Sequence, residues 1–307
     1  MKALLRFCAV VALLVLAQPV LADDDVEAAS WDLLRPTVLA TWPHDPSSFT
    51  QGLLWHEGYL YESIGLYGHS ALRQVELESG TVVWDAVREQ EREISLRHLQ
   101  LFAEGLALAD GRLYQLTWRA GFAIRYNLEF FTEGAELEYD SLPYEGEGWG
   151  LCYDGEALVM SNGSATLVRR DPQDFSLLEE LPVTLDGAPL GEFVSHDEEV
   201  LPLSDMEEGR VYAQLELLNE LECVDGLVYA NVWLSDLILV IDGTSGEVRS
   251  IIDASGLLSA EAQADADVLN GIAWLPQRET FVLTGKLWPT LFEVQFLPVD
   301  GEAADDT

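Results

Sequence analysis

Lysine is almost missing from this 307-residue chain: Lys2 and Lys286 are the only two, and Lys and Arg together number 16 against 54 Asp and Glu, for a formal charge of −38. A surface so poor in positive charge argues against nucleic acid and anionic membrane as partners, because both would be repelled. Cysteine is also scarce, at three residues, and Cys8 lies in the N-terminal apolar stretch. No later run approaches the ~18 apolar residues of a membrane span. There is no His-rich zinc pattern, no nucleophilic-serine elbow and no phosphate loop.

Residues 1–22 carry Lys2 and Arg6, an apolar stretch and Val20-Leu21-Ala22 ahead of an acidic run. This reads as a secretory signal cleaved after Ala22, too short and wrongly flanked for an anchor. An exported protein, periplasmic or secreted, is expected. Losing Lys2 and Arg6 leaves 14 basic against 54 acidic residues, a charge of about −40. Such a charge strains the compact state unless salt screens it. The surface therefore reads as adapted to high salt, with an ordinary acidic exported protein as the alternative.

What the chain does have is a repeat. Gln51-Gly52-Leu53, Glu104-Gly105-Leu106, Trp149-Gly150-Leu151, Asn219-Glu220-Leu221 and Asn270-Gly271-Ile272 each open an apolar run, and each is followed by a turn and a second run. Asp110-Gly111, Asp154-Gly155 and Asp225-Gly226 mark tight hairpins, with Glu57-Gly58 in the same place in the first repeat. Strand-like units repeating every ~45–50 residues indicate an all-β, five-bladed β-propeller. Residues 37–42 read as a strand that completes the last blade and closes the ring. The predicted plan is a linker over 23–36, a propeller over 37–299 with an acidic insertion at about 186–208, and a disordered tail over 300–307. Cys152 and Cys223 fall in different repeats. An oxidising compartment allows a disulfide, but equivalent positions of different blades are often too far apart to bond, which puts two buried free thiols slightly ahead as the expectation.

Stacking the repeats yields two rings of side chains. The first strands start at Gln51, Glu104, Trp149, Asn219 and Asn270, and the second strands end at Gly65, Trp118, Gly163, Trp233 and Lys286. In an antiparallel hairpin the start of one strand lies beside the end of the other, so both rings face one mouth of the channel. Taken singly, the indoles read as rim packing and the amides as turn caps. Together they read as an apolar-walled cleft with a few convergent polar groups, the usual form of a small-ligand site.

Phe49-Thr50-Gln51-Gly52-Leu53, Phe102-Ala103-Glu104-Gly105-Leu106, Leu116-Thr117-Trp118, Gly148-Trp149-Gly150-Leu151, Leu218-Asn219-Glu220-Leu221-Glu222, Ala230-Asn231-Val232-Trp233, Leu269-Asn270-Gly271-Ile272-Ala273 and Thr284-Gly285-Lys286-Leu287-Trp288 resemble the plant and bacterial type of glutaminyl-peptide cyclotransferase. The resemblance spans about residues 37–296. It implies a propeller that converts the N-terminal glutamine of peptides to pyroglutamate and releases ammonia, without a cofactor or catalytic metal. It also implies Glu104 as the proton-transfer residue, with Lys286 and Asn219 beside it. Phe49, Gln51, Phe102, Trp118, Trp149 and Trp233 would form the pocket, and the ring of strand starts adds Asn270 to the substrate-binding set. Two other classes stay open on the residues alone. Glu104, Asn219 and Asn270 are oxygen donors on one ring, as a calcium-dependent propeller hydrolase such as a lactonase would need, and a propeller could bind a ligand without chemistry.

Overall fold

The computed structural model describes residues 31–87, 89–132, 134–190 and 215–299. The expected signal, the C-terminal tail and most of the acidic insertion lie outside these residues. Each repeat forms a blade whose first two strands are the paired apolar runs. These are Thr50–His56 with Tyr59–Ile64, Ala103–Ala109 with Arg112–Thr117, Leu151–Tyr153 with Leu158–Met160, Leu218–Val224 with Leu227–Val232, and Leu269–Leu275 with Thr280–Gly285. In blades 1, 2 and 4 both turn residues have positive φ, at Glu57 and Gly58, Asp110 and Gly111, and Asp225 and Gly226. That is the type I′ geometry that matches strand twist.

Closure follows the predicted scheme and extends it. The strand Asp32–Pro43 runs antiparallel to Thr290–Pro298, with Trp42 opposite Leu291, and so supplies the fourth strand of blade 5. Its first three residues also pair in parallel with Ser250, Ile251 and Ile252 of blade 4. The strand starts earlier than residue 37 because Leu34 packs into the apolar cluster between blades 4 and 5.

The core is divided among the blade interfaces. Five apolar clusters among the described residues fill the interfaces 1–2, 2–3, 3–4, 4–5 and 5–1 in turn. A blade is thus buried on both faces, which is why the inner strands are apolar runs rather than alternating ones.

The glycine that follows the first residue of each motif lets neighbouring blades converge on the channel. A Cβ at Gly105 would collide with the backbone of Gly150 and Leu151, and one at Gly150 with Asn219. In blade 4 the same place is held by Glu220. Its fully buried carboxyl crosses the channel to accept hydrogen bonds from Leu53 N–H at 3.2 Å and Ile272 N–H at 2.8 Å, on blades 1 and 5.

The seam between blades 5 and 1 is held by a buried ion pair. His44, just past the closing strand, donates from Nδ1 to Trp288 O at 2.6 Å and from Nε2 to Glu62 at 2.9 Å. Burial alone would lower the His44 pKa, but the Glu62 carboxylate raises it on balance, and with a carbonyl at Nδ1 and a carboxylate at Nε2 both ring nitrogens face acceptors.

The expectation of free thiols is corrected: Cys152 and Cys223 form a disulfide, with Cα atoms 5.5 Å apart. The two are not equivalent. Cys152 lies two residues after Gly150, and Cys223 three after Glu220, so they point to opposite faces of adjacent blades and therefore toward each other.

Candidate active site

The two predicted rings converge on a cavity of about 400 Å³. It is lined by Phe49, Gln51, Phe102, Glu104, Trp118, Trp149, Asn219, Trp233, Leu234, Asp267 and Lys286. The inner-strand starts hold Gln51, Glu104 and Asn219. Backbone bonds at the ends of the second strands fix Trp118 (N–H to Phe102 O, 2.9 Å), Trp233 (N–H to Leu217 O, 2.9 Å) and Lys286 (N–H to Val268 O, 2.9 Å).

The apolar wall is a chain of aromatic contacts. Phe102 meets Phe49 edge-on at 6.2 Å and Trp118 at 5.5 Å, while Trp149 and Trp233 form a T-shaped pair at 5.4 Å. Gly163, with φ +75°, follows the second strand of the third blade beside this wall, where any Cβ would strike the Trp149 indole.

Besides Asp267, four polar side chains from the two rings face the cavity. Glu104 is 5% exposed, and its carboxyl makes no hydrogen bond or ion pair within 4 Å among the described residues. Burial pushes its pKa well above the ordinary glutamate value; Lys286 opposes that rise and Glu147 adds to it. Lys286 is 4% exposed, with Nζ 4.9 Å from the Phe49 ring centre. Burial lowers its pKa, against the pull of Glu104 and Asp267. Gln51 accepts from the Asn270 amide at 3.3 Å, which leaves the Gln51 nitrogen without a protein partner among the described residues. Asn219 lies in the wall with Oδ1 enclosed and unpartnered.

Asn270 occupies a different place from the other nine predicted residues. It is fully buried beneath the wall and donates to Thr50 O at 2.9 Å and to Gln51. It sets the position of Gln51, and the three oxygen donors that suggested a calcium site do not share one cavity.

Glu147 escaped the repeat reading because it sits in a loop. It accepts from Trp118 Nε1 at 2.8 Å, Trp149 Nε1 at 3.1 Å and Arg119 Nε at 2.7 Å, and so clamps two indoles from two blades. Partial burial would raise its pKa, but these donors hold it below the ordinary value. Leu234 and Asp267 were missed for the same reason: both follow or precede the rings in connecting segments. The positive φ of Leu66, Leu234 and Leu287, which directly follow the ring residues Gly65, Trp233 and Lys286, is a backbone feature with no signal in those leucines.

A family model described as glutamine cyclotransferase matches residues 10–215 and 206–296. The chain belongs to the glutamine cyclotransferase family. The glutaminyl-peptide cyclotransferase of Arabidopsis thaliana is 34% identical over 262 residues, 84% of this chain and 70% of that protein. The crystal structure of Myxococcus xanthus glutaminyl cyclase superposes with a TM-score of 0.67 at 36% identity, covering 88% of this chain and all of that one. In this member of the family all five blades line the cavity directly, blade 5 through Lys286, while Asn270 of the same blade acts on it through Gln51.

Proposed function

We propose that the cavity cyclises the N-terminal glutamine of peptides to pyroglutamate, with Glu104 as the proton carrier. Ring closure forms a bond between the α-amine nitrogen and Cδ, and breaks the bond between Cδ and the amide nitrogen. One proton must leave the attacking amine and one must reach the departing nitrogen, so a single carboxylate between them completes the exchange and ammonia leaves. The observation that carries this reading is a buried Glu104 in an aromatic cavity, unpaired among the described residues and with its pKa pushed well above the ordinary glutamate value by burial.

The oxygen that gains charge during attack can be met by the amide nitrogens of Gln51 and Asn219 and by the Lys286 ammonium. Lys286 has no ion-pair partner within 4 Å among the described residues, so its ammonium is available to the substrate. The indoles clamped by Glu147 hold the glutamine side chain folded on its own amine, which supplies orientation for an intramolecular step.

The disulfide points to export, which fits the same reading. Such a bridge persists in oxidising compartments, and no helix among the described residues is long and apolar enough to cross a membrane. The test is incubation of the mature protein with a Gln-initiated peptide and mass spectrometry for the loss of ammonia, with and without EDTA. Cyclisation in both is expected. Full loss with EDTA, restored by calcium, would move the case to a metal-dependent hydrolase.

A further inference from the structure

We propose that the peptide leaves the catalytic cavity through an acidic groove between blades 4 and 5, where Asp236 and Asp267 select substrates with arginine or lysine at the second or third residue. This rests on the cyclotransferase reading of the cavity. A second cavity of about 390 Å³ adjoins the first and shares two of its walls, Leu234 and Asp267; Asp236 and Gln263 line its far side. A chain running from one cavity to the other passes between Leu234 and Asp267. At ~3.3–3.6 Å per extended residue, the first residues after the glutamine lie in this groove.

The groove is built rather than incidental. Asp267 is fixed by its backbone, donating to Lys286 O at 2.9 Å and accepting from Trp288 Nε1 at 2.8 Å. Asp236 is half-buried, and its carboxylate has no hydrogen bond or ion pair among the described residues. The nearby Asp253 is already taken by Arg35 at 2.8 Å, and on the opposite rim Arg119 is taken by Glu147 at 2.7 Å. Neither arginine is free to satisfy the groove. A partly desolvated carboxylate without a partner is a place where a cation on the ligand gains most, and a ligand carboxylate loses.

The chain is acidic everywhere, so long-range attraction of any cationic peptide must be separated from local recognition. The experiment compares kcat/KM for octapeptides that begin with glutamine and carry one arginine at position 2, 3 or 8, or none, in moderate salt. Arginine at position 2 or 3 is expected to raise kcat/KM about fivefold over arginine at position 8, mainly through KM, the scale of one partly exposed ion pair. In Asp236→Asn, or in Asp267→Asn should the first variant be unstable, the ratio between the position 2 or 3 peptides and the position 8 peptide should fall toward one. Equal rates for all three arginine peptides, or a preference unchanged in both variants, overturn the groove while leaving the cyclotransferase reading in place. Failure to cyclise even the peptide without arginine overturns both.

Discussion

Replacing Glu104 with Gln is expected to move activity and stability in opposite directions. The amide keeps the size of the side chain but cannot accept and return a proton, and general acid-base catalysis typically contributes ~10²–10⁴-fold, or about 3–5 kcal/mol of barrier. Substrate affinity should change little. The folded protein, by contrast, holds this carboxyl nearly dehydrated and without a hydrogen bond among the described residues. Because the folded-state pKa is raised above the unfolded one, the native state binds more protons, and stability falls as pH rises from the ordinary glutamate value to the raised one. That loss amounts to about 1.4 kcal/mol for each pH unit separating the two. An uncharged glutamine does not suffer it, so the variant should melt at the same or a higher temperature at neutral pH. Ammonia release and thermal unfolding, each followed as a function of pH, give both numbers. A variant that keeps more than about a tenth of the rate lies outside the acid-base range and removes Glu104 from the proton path. A variant that is inactive only because it melts lower would show Glu104 to be structural.

Lys286→Met removes the charge that draws Glu104 toward ionisation, so turnover should drop and the acidic limb of kcat/KM should move to higher pH; an unmoved limb would separate the two residues. Reducing the Cys152–Cys223 bridge, or replacing both cysteines with serine, opens a loop of 71 residues and should lower stability by up to ~4 kcal/mol on chain-entropy grounds, read from melting with and without reductant. With a formal charge of −38, stability should rise between dilute buffer and molar salt, as the screening length shrinks from about 10 Å at 0.1 M to 3 Å at 1 M. A melting temperature that stays flat or falls would refute the high-salt reading of the surface.

The parts of this molecule that the sequence makes legible are those governed by local rules repeated five times. Paired apolar runs around Asp110-Gly111 or Asp225-Gly226 demand hairpins, and stacking them aligns Gln51, Glu104 and Asn219 at strand starts and Trp118, Trp233 and Lys286 at strand ends. The disulfide depended instead on register between neighbouring blades, where an offset of one residue turns Cys152 and Cys223 to face each other. Glu147 and Asp267 lie in loops outside the repeat, so nothing in the alignment marks them. Asn270 shows the reverse: it holds a ring position, yet its amide turns down to Thr50 and Gln51 rather than out to the cavity.

Glu220 gives the ring a key. Four repeats place glycine at the channel, and a propeller built of five such units would have interchangeable blades, with nothing at its axis to record which is which. The single carboxyl in blade 4 reaches over the axis to blades 1 and 5, the two that the chain joins last. Its sockets exist only when the first and last blades stand side by side at the right angle, so a ring with a blade duplicated or deleted would leave the peg buried and unsatisfied, at a cost of about 1–3 kcal/mol. The number of blades is thus counted from the inside, by one side chain measuring the diameter of the channel.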